Sequence, residues 1–162
     1  MKFSFEQHFP APADAVLALY SSEHFYKELR NLPKIGEPVV LTREVGPGVV
    51  TLRVRHRFTG DVPRAARSVI DRTRLTWVDE TVYDLSARRS TTRFLPDHYP
   101  DRLEAAATAT YEGSSSGSMR RIVGELRVHL SILSSKVERA IVSGIEAHLS
   151  EEARVADCCL AR

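Results

Sequence analysis

From Val49 to Phe58 the chain alternates so regularly that a single ionisable ring falls among apolar side chains. Val50, Leu52, Val54, His56 and Phe58 share one face, and Thr51, Arg53, Arg55 and Arg57 share the other. A neutral imidazole in such a setting can act as acid, base or hydrogen-bond donor near neutral pH. The plainer alternative is a partly buried histidine satisfied by a carbonyl or a water, and it takes precedence because catalysis needs further convergent groups.

Trp77, Tyr83, Phe94 and Tyr111 fall on successive extended segments. Aromatic rings with polar tips suit a pocket wall, since each offers a large apolar area and one hydrogen bond, although ordinary core packing explains them equally well. Asp79 and Glu80 are adjacent, so alternation sends one carboxylate to each face. The inward one is expected near Arg93 or Arg43 as a structural ion pair, and the register of this strand stays open between the two. Arg53, Arg55 and Arg57, with Arg88, Arg89 and Arg93, read as solvated strand faces rather than a site for an acidic partner. His24 with Glu28 and His148 with Glu152 are single i, i+4 pairs without a third ligand, and His98 and His129 have no partner at ligand spacing, so no metal site is expected. No Gly-rich phosphate loop, nucleophile elbow or zinc-protease helix motif is present. Cys158 and Cys159 are adjacent and close to the chain end, which suits neither a structural disulfide nor a zinc site; residues 155–162 read as a frayed tail carrying two free thiols.

The elements that must hold these residues follow from the rest of the chain. Its 162 residues suit one domain, with 43% hydrophobic and 27% charged residues as in an ordinary globular protein. Twenty-three basic against 21 acidic side chains give a net charge of +2, which supports neither nucleic-acid nor anionic-membrane binding. Neither a secretory signal at Met1 to Phe9 nor an apolar run near the ~20 residues of a membrane span is visible, so a cytoplasmic location is the expectation.

Phe3, Phe5, Gln7 and Phe9 alternate with polar residues as a first strand. Two short helices follow, one carrying Val16, Leu17 and Tyr20, the other spanning Ser22 to Leu32 with Ser22 as its cap. Strands are then expected at Pro38 to Val45 and Val49 to Phe58, joined by Gly46-Pro47-Gly48, and at Arg74 to Tyr83, Ser90 to Leu95, Arg102 to Glu112 and Met119 to Leu130. A helical turn is expected at Arg64 to Ile70, and a flexible turn at Gly113 to Ser118. Ile122, Gly124, Leu126, Val128 and Leu130 share one face of the last strand. After Leu133 the period turns helical: Val137, Ile141, Ile145 and Leu149 form an apolar stripe, with Glu138 at the capping-box offset from Ser135. Only this terminal helix is long enough to cover the apolar face of an antiparallel sheet.

The order strand, two helices, about six strands, long helix resembles the START-like or SRPBCC superfamily, an α+β helix-grip (Bet v 1-like) fold in which a curved antiparallel sheet wraps a long C-terminal helix. The opening FSFEQHFPAPADAVLALYSSEHF is similar to the usual start of that superfamily. HLSILSSKVERAIVSGIEAHLSEE resembles the corresponding segment of a bacterial branch known as a domain of unknown function, with Ser134 and Ser135 where glycines are usual. The resemblance spans nearly the whole chain and implies a cavity between sheet and terminal helix for a hydrophobic small molecule. The expected lining is Val54, His56, Phe58, Trp77, Phe94, Tyr111, Leu126, Val137, Ile141 and Ile145. Carriage of a lipid, polyketide or isoprenoid-like molecule without catalysis is the leading expectation, with no cofactor, no nucleic-acid partner and a monomer or weak homodimer. A polyketide cyclase or aromatase-like enzyme and a co-chaperone-like interaction module are the alternatives.

Overall fold

The computed structural model describes residues 1–30, 32, 34–60, 71–129 and 134–162. The period-two segments become strands: β1 (Lys2–Phe9), β2 (Val39–Gly46), β3 (Val49–Arg57), β4 (Thr76–Asp84), β5 (Arg89–Pro96), β6 (Leu103–Ser114) and β7 (Gly117–Val128). They form one curved seven-stranded sheet in the order β1-β7-β6-β5-β4-β3-β2, with every neighbouring pair antiparallel. The first and last strands of the chain therefore lie side by side, with Phe3 opposite Gly124 and Gln7 opposite Arg120.

The Gly and Ser run expected as a flexible turn is shorter than it reads, because β6 continues to Ser114 and β7 resumes at Gly117. Gly117 sits at φ +142°, where a Cβ would come within 2.0 Å of the Phe9 carbonyl oxygen, so only glycine lets the hairpin press against the end of β1.

Helix α1 (Ala13–Tyr20) starts at Pro12, whose fixed φ suits a helix start and whose carbonyl accepts from the Ala15 and Val16 amides at 3.0 and 3.1 Å. Helix α2 (Glu23–Glu28) is capped as expected by Ser22, whose Oγ accepts from the Phe25 amide at 3.3 Å. It stops at Leu29 rather than Leu32, yet both leucines stay buried. Helix α3 (Ser134–Leu160) is the long terminal helix and packs chiefly on β7, β1, α1 and α2.

Two expectations about α3 are corrected. Residues 155–162 are no frayed tail: the helix runs to Leu160, Ala156 is fully buried, and Val155, Cys159 and Leu160 pack on the core. The stripe simply continues past Leu149 through Glu152 and Ala156, so the last turns have apolar surface to bury. Glu138 forms no capping box with Ser135. Its carboxylate instead accepts from the Val128 amide at 2.9 Å and lies 3.5 Å from the N-terminal ammonium, tying the first turns of α3 to the end of β7. The helical turn expected at 64–70 and the inward position of Leu130 lie outside the described residues.

The core is uneven along the sheet. At one end, Tyr20, Phe25, Leu29, Leu52, Val54, Tyr83 and Tyr111 are packed to 2% exposure or less beneath α1, α2 and the last turns of α3. At the other end Trp77, Phe94, Val137, Ile141 and Ile145 are only half-buried. The tightest packing among the described residues is thus at one end, and the side chains under the first half of α3 keep partial solvent access.

Candidate functional site

Cross-strand pairing fixes what each strand presents inward. Val54 lies opposite Asp79 and His56 opposite Trp77; Asp79 lies opposite Phe94. Directly opposed residues of an antiparallel pair share a face, so Trp77, Asp79, Thr81 and Tyr83 point inward with His56. That settles the open register: Asp79 is the inward carboxylate, and Glu80 faces out, where its oxygens lie 3.5 and 3.7 Å from Arg53 and Arg93. The inward partner is neither Arg43 nor Arg93 but His56, with Nε2 3.3 Å from Asp79 Oδ2. Arg43 instead donates to the Ser21 carbonyl at 2.8 Å.

His56 begins an aromatic column. Its ring stacks on Trp77 with centroids 5.5 Å apart and planes at 20°, and Trp77 stacks on Phe94 at 5.1 Å and 24°. His148 of α3 meets the His56 ring edge-on at 6.5 Å. From His148 a polar chain runs toward the packed end. His148 Nε2 lies 3.6 Å from Glu152. Arg120 Nη1 donates to Glu152 at 2.8 Å and to Gln7 Oε1 at 2.9 Å, while Gln7 Nε2 donates to the Leu149 carbonyl at 2.6 Å. The Arg120 guanidinium lies over the Tyr20 ring at 4.0 Å and near Tyr111 at 5.8 Å.

Burial governs the protonation of this network. It pushes the His56 pKa down to about 3, helped by His148, so the ring is neutral at physiological pH. It raises the Asp79 carboxyl to about 7, and the negative charge of Glu152 adds to the rise while the nearby Trp77 indole pulls weakly the other way without closing a hydrogen bond. Asp79 nevertheless keeps 31% of its side-chain surface accessible. Burial also lowers the His148 pKa. It opposes the charge on Arg120, but the surrounding oxygens of Tyr111, Tyr20 and Glu152 outweigh it and the guanidinium stays charged. Six buried polar atoms here have no hydrogen-bond partner among the described residues: Trp77 Nε1, His56 Nδ1, His148 Nδ1, Arg120 Nε and the hydroxyls of Tyr20 and Tyr111. Buried polar atoms are nearly always satisfied, by protein, by ordered water or by a bound molecule; Trp77 Nε1, His56 Nδ1 and His148 Nδ1 gather at the aromatic column, and the other three at the packed end.

The expected lining residues divide accordingly. His56, Trp77 and Phe94 share the inner face beneath α3, which carries the half-buried Val137, Ile141 and Ile145. Val54, Tyr111 and Leu126 lie on the same face but are packed to 2, 2 and 1% exposure, as floor rather than open wall. Phe58 lies just past the end of β3, with its ring against Gly60. Arg120 and Gln7 were absent from the expected site, though each sits at the correct parity of its strand. Elsewhere, a groove of about 350 Å³ runs between α2 and β2, lined by Glu23, Tyr26, Lys27, Glu37, Val39 and Val40. Among the described residues, no helix is long and apolar enough to cross a membrane.

A bent antiparallel sheet gripping one long helix, with a polar chain buried beneath that helix, defines a helix-grip domain of the START-like, Bet v 1-like type. Solved structures agree. A protein of Thermus thermophilus superposes with a TM-score of 0.69 at 15% identity, covering 98% of this chain and 99% of its own. Ara h 8.0201 gives 0.60 at 12% identity over 99% and 97%. The Zhui aromatase/cyclase of Streptomyces gives 0.54 at 17% over 95% and 93%. The chain belongs to the family described as Protein of unknown function (DUF2505), whose pattern matches residues 4–158. No curated protein matches it in sequence.

Proposed function

We propose that this domain binds a hydrophobic small molecule between the inner sheet face and the first half of α3. One observation carries the reading: Trp77, Phe94, Ile141 and Ile145 remain half-buried around unpartnered polar atoms, while the other end of the same core is packed to 2% exposure or less. An apolar wall with a few convergent polar groups is the usual make-up of a small-molecule site. The likeness in fold to Ara h 8.0201 and to aromatase/cyclases supports an interior site of this kind.

Trp77 is the only tryptophan in the chain, so its fluorescence reports on the site alone. Protein purified from its own host, extracted with organic solvent and analysed by mass spectrometry should release a hydrophobic compound near one equivalent. The stripped protein should then take up a neutral apolar dye such as Nile red with quenching of Trp77. Neither an extracted compound nor dye uptake would mean that the interior binds nothing.

The 3.3 Å contact between His56 and Asp79 favours a second reading, acid–base conversion of the bound molecule. It expects a chemically altered product from compounds incubated with the wild-type protein and none with His56→Gln.

A further inference from the structure

We propose that the interior site selects molecules whose buried end carries no negative charge and donates a hydrogen bond, a hydroxyl or a protonated amine on a flat apolar body, with Asp79 as acceptor. This rests on the interior binding reading above and narrows it to a class of ligand.

The argument is one of charge. Among the described residues, the ionisable groups meeting beneath α3 are His56 from β3, Asp79 from β4, Arg120 from β7, and His148 and Glu152 from α3. Tyr20, Tyr26, Tyr83 and Tyr111 add hydroxyls, and Gln7 of β1 adds an amide. The charge of Arg120 is balanced by Glu152, to which Nη1 donates along with Gln7, and one face of the guanidinium is covered by Tyr20, although its Nε has no partner among the described residues. Arg120 and Glu152 together sum to zero. His56 and Asp79 hold either one shared proton, for a sum of zero, or none, for a sum of minus one, whichever atom carries the proton. Buried and neutral, His148 supplies no positive charge. Among the described residues these groups therefore sum to zero or minus one at physiological pH, and a carboxylate or phosphate entering beside Asp79 would be desolvated next to a negative or neutral pair, with the Arg120 cation already balanced by Glu152.

A donor meets the opposite situation. Among the described residues Asp79 is partnered only through His56 Nε2; it is still 31% accessible, and it stands beside the indole of Trp77, whose N–H is unpartnered. A hydroxyl can donate to Asp79 and accept from Trp77 Nε1, while an ammonium group supplies the positive charge the pair lacks. The column Phe94, Trp77, His56 offers a ring face along which a flat body can stack.

The test compares three probes of one shape, 2-naphthol, 2-naphthylmethylamine and 2-naphthoate, at pH 7.5. Binding is followed by the single indole N–H signal of Trp77 in the proton–nitrogen spectrum of the 15N-labelled full chain. The naphthol or the amine should bind at least tenfold tighter than the naphthoate, and the tighter of the two tells hydroxyl from ammonium. In Asp79→Asn the amine should lose at least tenfold in affinity and the naphthoate should gain. Naphthoate binding as tightly as both donors in the wild-type protein overturns the proposal, and this comparison needs no variant to fold. Uptake of Nile red beside such a result would leave the interior site standing and remove only the selectivity. Absence of Nile red uptake together with silence from all three probes would remove both.

Discussion

The His56–Asp79 pair has an unusual signature in the dependence of stability on pH, and it can be worked out by counting protons. In the unfolded chain near pH 5, the histidine is protonated and the aspartate is not, so the two groups hold one proton. In the folded protein His56 stays neutral down to about 3 and Asp79 keeps its proton up to about 7, so the two groups again hold one. Taken singly, each would tilt the profile. The depressed His56 pKa makes stability fall as pH drops below the ordinary histidine value, because the unfolded chain gains a proton that the folded one refuses. The raised Asp79 pKa makes stability fall as pH climbs from the ordinary aspartate value toward 7, because the folded chain keeps a proton that the unfolded one releases. Between about pH 4.5 and 6 the two slopes have opposite sign and cancel.

Single substitutions should uncover them. The causes that shift His56 are burial and His148, and those that raise Asp79 are burial and Glu152; neither group depends on the other for its shift. Asp79→Asn should therefore gain stability with rising pH relative to wild type, and His56→Gln should lose it. The limiting slope is about 1.4 kcal/mol per pH unit in each direction. Solvent access to Asp79 moderates that slope, leaving about 1–2 kcal/mol over the interval from about pH 4.5 to 6. Urea unfolding followed by far-ultraviolet circular dichroism resolves this, since such a change moves a transition midpoint by roughly 0.5–1 M. Contributions of His148, Glu152 and surface carboxylates are common to the three proteins and drop out of the differences. Two variant profiles that run parallel to wild type, or tilt the same way, would refute the assignment of a neutral histidine beside a protonated aspartate.

Two further perturbations probe the scaffold of the site. Arg120→Met should cost about 3–5 kcal/mol by stranding Glu152 without its cation, whereas the double variant Arg120→Met, Glu152→Leu should recover much of that loss; a double-variant cycle in urea measures the coupling, and additive losses would show that the two side chains do not act as a pair. Deleting residues 155–162 removes the buried Ala156 and the packing of Val155, Cys159 and Leu160. That should lower stability by about 2–4 kcal/mol, or the melting temperature by roughly 5–15 °C, and an unchanged melting curve would restore the segment to the status of a tail.

Most of the architecture was legible because period two and period 3.6 are properties of neighbouring residues. The alternation of Val50, Leu52, Val54 and His56 fixes the inner face of β3 without reference to anything distant, and burial follows it residue by residue. β4 resisted the same treatment because both of its parities carry apolar residues, Trp77 and Tyr83 on one and Val78 and Val82 on the other. Only its pairing with β3 decides that Asp79 enters and Glu80 leaves. The polar chain was harder still. The parity that sends Ile122 inward also sends Arg120 inward, and the stripe that buries Leu149 also buries Glu152, but charged residues at such positions read as interruptions until their partners are known. Those partners come from 32 and 113 residues away along the chain, beyond the reach of any local pattern.

The positions that break the local rule are therefore the informative ones. Asp79, Arg120, His148 and Glu152 each place an ionisable group where the period of its own element calls for an apolar one, and each carries a desolvation penalty that packing alone gives no reason to accept. In the folded chain Arg120, His148 and Glu152 form one chain of contacts, and the edge-on meeting of His148 with His56 brings it to Asp79. Buried charges scattered over β7, β4 and the terminal helix lower one another's penalty by meeting, and a polar cluster of that kind inside a core is also what a binding or reactive site is built from. On the proposed reading, the charge balance of these few groups is the property that would decide which ligand enters.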